Sequence, residues 1–269
     1  MKLNKIKVIR EWISAWKAIW ANSWYLPASA ALDLVFLTLY GFMTAPFFAS
    51  LTEHVMVIGT LLSEQMREVA GRARPAIIDA LFQPPVSRYT WQFFGLLVIL
   101  AVAVFLIYCV FQGIAWHIAG KVSGSKAHWR QYLLGFARIN LLWGALYFLW
   151  QCISTMVELR RIAIEKMTNL PAPESGIFMS VLLVVLVYFA LASYPILSIK
   201  KAFSAGIHRI SVLVPAMLIA GAQLYAGDFL VRRLTAVNVK LAFIVSVIVF
   251  LVLLAFTRAY VTFVVRRAD

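Results

Sequence analysis

Residues 91–118 read WQFFGLLVILAVAVFLIYCVFQGIAWHI and contain no Asp, Glu, Lys or Arg. About 20 helical residues cross the ~30 Å hydrocarbon core of a bilayer, and this stretch exceeds that. A strand of such a length would leave its edges unbonded in lipid. A helix satisfies its backbone within itself. Five further runs have the same character, at 26–49, 132–156, 177–199, 210–230 and 241–265. The chain therefore reads as an all-α polytopic membrane protein with six transmembrane helices.

Composition agrees. The 269 residues are 63% hydrophobic and 13% charged, far from the soluble average. Six spans use most of the length, so 26–269 forms a single transmembrane domain preceded by a leader over 1–25. The net charge of +14 invites a nucleic-acid reading. The basic residues lie between spans rather than along one stripe, so no nucleic acid is expected as a partner.

Basic loop residues favour the cytoplasmic side. With the N-terminus cytoplasmic, that side collects fifteen basic residues against Glu11 and Asp269. The opposite side carries ten basic residues and eight acids. Both termini are thus expected in the cytoplasm, with the chain multi-pass in the cell (plasma) membrane. No cleavable signal peptide is expected, because the first apolar run is too long for one. Cys109 and Cys152 both fall inside spans at different depths, and no disulfide is expected between them.

The leader repeats tryptophan every fourth residue, at Trp12, Trp16, Trp20 and Trp24. Helical spacing groups them on one slowly drifting face, with lysines over much of the remainder. Either this amphipathic helix lies in the membrane interface against anionic lipid headgroups, or its indoles pack on the bundle. Residues 50–90 form the longest polar connection. Helical spacing from Leu51 to Val69, the break at Pro75 and the stop at Pro84–Pro85 predict an external cap of two short helices. The third span is expected to run on through 158–167, and 198–209 (SIKKAFSAGIHR) to form a short basic helix.

Ionisable groups inside a bilayer are costly and mark either function or a necessary pair. Asp33 lies about 10 Å, Arg138 about 9 Å and Arg258 about 12 Å from the inner ends of their helices at 1.5 Å per residue. Gln112 and Asn140 fall at similar depth, while His117, Tyr194 and Tyr260 lie nearer the surface. These eight residues form the candidate intramembrane polar cluster, in which Asp33 pairs with Arg258 or Arg138. As a structural pair the cluster fixes helix packing. As a functional one it is a substrate or proton site.

The chain also falls into three hairpins. Each opens on a basic stretch, at Trp16, His128 and Lys200, and each second span ends in a small-plus-aromatic or proline cluster. YLPASAALDLVF (residues 25–36) and FTRAY (256–260) then carry a resemblance. In these strings and in layout the chain resembles six-span, three-hairpin integral membrane families, including the membrane domain fused to glycerophosphodiester phosphodiesterases. The resemblance implies a fold and no activity, since the 269 residues hold no phosphodiesterase domain.

Several chemistries are excluded. The four histidines are scattered, with no H-E-x-x-H and no Cys/His ligand spacing, so neither metal nor cofactor is expected. GKVSGSK (120–126) is no P-loop, because Ala115 stands where the leading glycine belongs. No G-x-S-x-G elbow occurs. The expected function is a non-enzymatic permease or transport-related component. A membrane scaffold or assembly factor is the alternative, and an intramembrane lipid-acting enzyme using Asp33 and His117 a lesser one. The partners expected are the lipid bilayer, with its anionic headgroups, and either a protein partner or further copies of the chain.

Overall fold

The computed structural model describes residues 2–68, 81–168 and 176–267. These form eight helices and no strand: α1 (Lys2–Ala21), α2 (Tyr25–Glu68), α3 (Val86–Val122), α4 (Trp129–Thr168), α5 (Gly176–Ile196), α6 (Ile199–His208), α7 (Ile210–Thr235) and α8 (Val239–Arg267). Six are long and apolar enough to cross a membrane, and only 11–22% of each crossing window is buried within the protein. Large apolar side chains such as Phe42, Val184 and Phe243 face outwards, 67–79% exposed. Such belts suit lipid and not water. The protein is an all-α, multi-pass membrane protein.

The chain divides into two compact units, one of Met1–Leu34 with Cys109–Asp269 and one of Val35–Tyr108. The smaller unit pairs the later part of α2 with the first part of α3. Phe36 meets Tyr108 edge-on at 6.1 Å, and His54 meets Tyr89 at 6.4 Å. The expected break between first span and cap is missing, because α2 runs unbroken to Glu68. Pro46 sits inside that helix, where proline removes one donor without ending the turn sequence. The helical spacing from Leu51 onwards simply extends the span. The second cap helix expected after Pro75 falls largely outside the described residues, as does the break at Pro75 itself. α4 likewise continues well past its span, to Thr168.

In the larger unit the second half of α8 is the central post. Ala255, Phe256, Arg258 to Val265 are all at most 5% exposed, and a helix covered on every side needs apolar residues all round. α7 lies along α8, and α1, α5 and α7 surround it. Gly227 of α7 permits this approach: a Cβ there would stand 2.7 Å from Leu253.

Short connections have legible causes. α3 ends in a Schellman turn, with Ser125 N–H donating to Gly120 O (2.8 Å) and Gly124 N–H to Lys121 O (2.9 Å). Gly124 takes φ +88° there, a conformation that glycine adopts without a Cβ penalty. Ser198 caps α6 by accepting from Lys201 N–H, and Asn238 caps α8 by accepting from Leu241 N–H (3.1 Å). The short basic helix expected over 198–209 is α6.

The leader is helical, and its tryptophans divide. Val8, Glu11, Ala15 and Ile19 form its buried face. Trp16 stacks on Phe256 at 4.4 Å and Trp12 meets the same ring edge-on at 5.9 Å. Trp20 and Trp24 stay open, 72% and 50% exposed. Four-residue steps advance about 40° each around a helix, so Trp20 stands about 80° from Trp12, and Trp24 lies in the turn that follows the end of α1 at Ala21.

Candidate functional site

The first turns of α2 carry Tyr25, Ser29 and Asp33 four residues apart, and all three are at most 1% exposed. This spacing places them one above the other on a single face. Tyr25 O–H donates to Ala255 O of α8 at 2.7 Å. One turn further along α8, Arg258 reaches back to Asp33 in a bidentate pair: Nη1 donates to Oδ2 at 2.7 Å and Nη2 to Oδ1 at 2.6 Å. The fork geometry of guanidinium and carboxylate makes this the strongest form of such a contact.

Two neutral groups complete the site. Arg258 Nη1 also donates to Ser29 Oγ (3.1 Å), and Nη2 to Gln112 Oε1 (2.8 Å). Gln112 Nε2 donates to Asp33 Oδ1 at 3.1 Å. Gln112 comes from α3, so α2, α3 and α8 meet at one point. Every Nη hydrogen of Arg258 has an acceptor, and both carboxylate oxygens have charged donors. The side chains are 6% and 2% exposed. A carboxylate held this way is neither a free base nor a free ligand. The group can fasten three helices, or it can open and offer its two charges elsewhere.

Asn140 and Tyr194 belong to a separate network between α4 and α5. Tyr194 O–H donates to Asn140 Oδ1 (3.0 Å), and Asn140 Nδ2 to Phe136 O (2.8 Å). Tyr132 O–H donates to Tyr194 O (2.8 Å), and Trp143 Nε1 to Ser193 Oγ (2.9 Å). The Tyr194 ring contacts both Trp116 and Phe136.

The remaining residues lie outside both networks. His117 sits 5.2 Å from the Tyr132 ring. Tyr260 is fully buried and stacks on Phe256. Arg138 is exposed and makes no pair with Asp33. The expectation of one eight-residue cluster is corrected to a charged site of Asp33, Gln112 and Arg258, and a neutral site of Asn140 and Tyr194. The reason is azimuth. Arg138 lies two residues from Asn140 and two from Phe136, about 200° around the helix from each, and both of those face inwards.

Sequence reading passed over Ser29, Tyr25, Tyr132, Trp143 and Ser193. For the first two the pattern was available, because they stand one and two turns before Asp33 on its own face. Among the described residues no group of three His, Cys, Asp or Glu side chains gathers to hold a metal. No protein-family model matches the chain, and neither the curated proteins nor the solved structures yield a match.

Proposed function

We propose that this chain is a non-enzymatic transport-related component of the cell membrane, with Asp33–Arg258 as a latch within its transmembrane core. One observation carries this reading: a bidentate charge pair is buried where three membrane helices meet. Replacing a buried ion pair by packed apolar residues is often neutral or stabilising. A pair retained in that setting supports a task that an apolar contact cannot do, namely to exchange partners. An anionic or cationic solute, or a proton, is the chemistry such a latch would admit. Pro195 and Pro215 lie inside α5 and α7, and interrupted helices are a means of building such paths.

In this reading the basic loops and both termini face the cytoplasm. Exposed Trp20, Trp24 and Lys17 on the leader side meet anionic headgroups. A second reading, a membrane scaffold, is favoured by the extension of α2 and α4 well past the length of one crossing. Such extensions provide surface for a protein partner or a further copy of the chain.

Purification in native lipid discs, followed by mass spectrometry of intact assemblies, separates the readings. A defined solute bound to wild type and absent from Asp33→Asn supports the carrier. A stoichiometric soluble protein without any solute supports the scaffold. A bare chain with neither counts against both.

A further inference from the structure

A second concentration of charge lies at the end of the larger unit where α3 and α8 stop, apart from the Asp33 site. Arg266, near the end of α8, donates from Nη2 to Ser125 Oγ at 2.7 Å. Ser125 belongs to the Schellman turn closing α3, is 8% exposed, and also accepts from Ala127 N–H. Arg266 Nε is buried with no hydrogen-bond partner, and so is His117 Nδ1. Lys121 stands four residues after His117 on the same face of α3, and His128 accepts at its carbonyl from Tyr132 N–H, the residue whose ring meets His117 at 5.2 Å. Lys121 and His128 are exposed. Among the described residues, no carboxylate forms a salt bridge with any of these groups.

The arrangement is unbalanced in a specific way. A buried, unpaired N–H of a charged group is expensive, more so than a neutral one. Here Arg266 Nε is such a nitrogen, and the unpartnered His117 Nδ1 shares its basic corner, beside a hydroxyl whose lone pairs already take Arg266 and a backbone N–H. Water meets the need of a single donor. Several cations without a counter-charge among the described residues call for an anion. A tetrahedral oxyanion suits a guanidinium edge together with an ammonium and an imidazole. The tight turn brings its Lys121 and Ser125 ends together through the Ser125 N–H to Gly120 O bond, so both arms are held by backbone.

We propose that this corner binds a phosphate group, with Arg266 and Lys121 as its charged donors and Ser125 positioning Arg266. The group is supplied either by the headgroup of an anionic lipid or by free phosphate. The site is independent of the transport reading, since none of its residues touches the Asp33 network.

The full chain, delipidated in a mild non-ionic detergent, is titrated separately with dihexanoyl phosphatidic acid, dihexanoyl phosphatidylcholine and inorganic phosphate. The thermal unfolding midpoint, followed by tryptophan emission, is the readout. A saturable rise with phosphatidic acid alone assigns the site to a lipid headgroup. A saturable rise with inorganic phosphate as well assigns it to the phosphate group from either source. In both cases Arg266→Gln raises the half-saturating concentration about tenfold or more, as expected on losing a charge-assisted hydrogen bond. Lys121→Gln is the second variant. Its side chain is exposed and leaves folding intact, and it raises half-saturation several-fold even if Arg266→Gln fails to fold. No saturable rise with either phosphate source overturns the proposal. So does an equal response to phosphatidylcholine, or a response unchanged in Lys121→Gln.

Discussion

Cutting the Asp33–Arg258 pair from one side is the sharpest test of what holds the larger unit together. Arg258→Gln leaves the Asp33 carboxylate 1% exposed, with Gln112 Nε2 as its only remaining donor from the present set. Stranding one charge of a buried pair costs about 3–5 kcal/mol. Asp33→Asn is milder, because Ser29 Oγ, Gln112 Oε1 and the retained amide oxygen still accept from Arg258. About 3 kcal/mol is expected there, the lower end of the same range. A neutral hydrogen bond between membrane helices averages about 0.6 kcal/mol, so either value identifies a charge effect and not a lost polar contact.

The double change Asp33→Asn with Arg258→Gln removes both charges. Its cost reduces to imperfectly paired neutral amides beside Gln112, about 1–2 kcal/mol, so it is more stable than Arg258→Gln alone. The two sites then couple by about 2 kcal/mol or more in a double-mutant cycle. Arg138→Gln serves as control. That residue is exposed, and the change should stay within about 0.5 kcal/mol. Reversible unfolding by added dodecyl sulfate in mixed micelles, followed by far-ultraviolet circular dichroism, measures all five proteins. If the single changes each cost under about 1 kcal/mol, or simply add in the double, the pair is not the fastening described.

Three further outcomes follow from packing and hydrogen bonding. Gly206→Ala places a Cβ 2.7 Å from Phe189, whose ring is stacked on Phe203, and should cost about 1–3 kcal/mol by overpacking. Gly41→Ala meets nothing within 4 Å and should gain up to about 1 kcal/mol from helix propensity; the same unfolding titration compares the two. Phe256→Ala removes the ring under Trp12 and Trp16. It should cost about 3–5 kcal/mol and shift tryptophan emission to the red, and an unchanged spectrum would show that α1 does not depend on that ring. Tyr194→Phe deletes the bond to Asn140 and should cost about 0.6–1.5 kcal/mol in the unfolding titration.

The spans were readable because burial in lipid needs only apolar length, and length is a one-dimensional property. Depth was readable for the same reason, and it brought Asp33, Gln112 and Arg258 to comparable levels. What depth cannot supply is azimuth, and azimuth decided the partner. Arg138 and Arg258 stand at similar distances along their helices, yet one is exposed and the other 5% exposed. The spacing of Phe136, Ile139, Asn140 and Trp143, all buried, defines the inward face of α4 and excludes Arg138 from it. That argument needs only the sequence once one inward residue is known. It cannot start without one, because a span that is apolar all round hides which side meets protein. The leader shows the same limit. Its four tryptophans look like one stripe, yet two meet Phe256, Trp20 has drifted round the helix axis, and Trp24 falls in the turn beyond the helix.

Charge balance links the two basic sites and explains why they differ. The chain has 25 Lys and Arg against 11 Asp and Glu, so most cations cannot find an internal carboxylate. Asp33 is fully committed to Arg258. In the transmembrane core a buried guanidinium left without a carboxylate is costly, so this pair closes internally whenever no other charge has taken its place. At the helix ends the constraint relaxes, since polar headgroups lie within reach of long side chains. Arg266 can therefore sit half-buried against Ser125 with its Nε unmet by protein, whereas Arg258 is fully paired. An acidic residue introduced beside Arg266, as in Ser125→Asp, would supply internally what the bilayer or solution supplies now. It should remove the saturable response to phosphatidic acid while stabilising the delipidated protein. A variant that kept its lipid response despite that carboxylate would place the anion's contacts elsewhere than on Arg266.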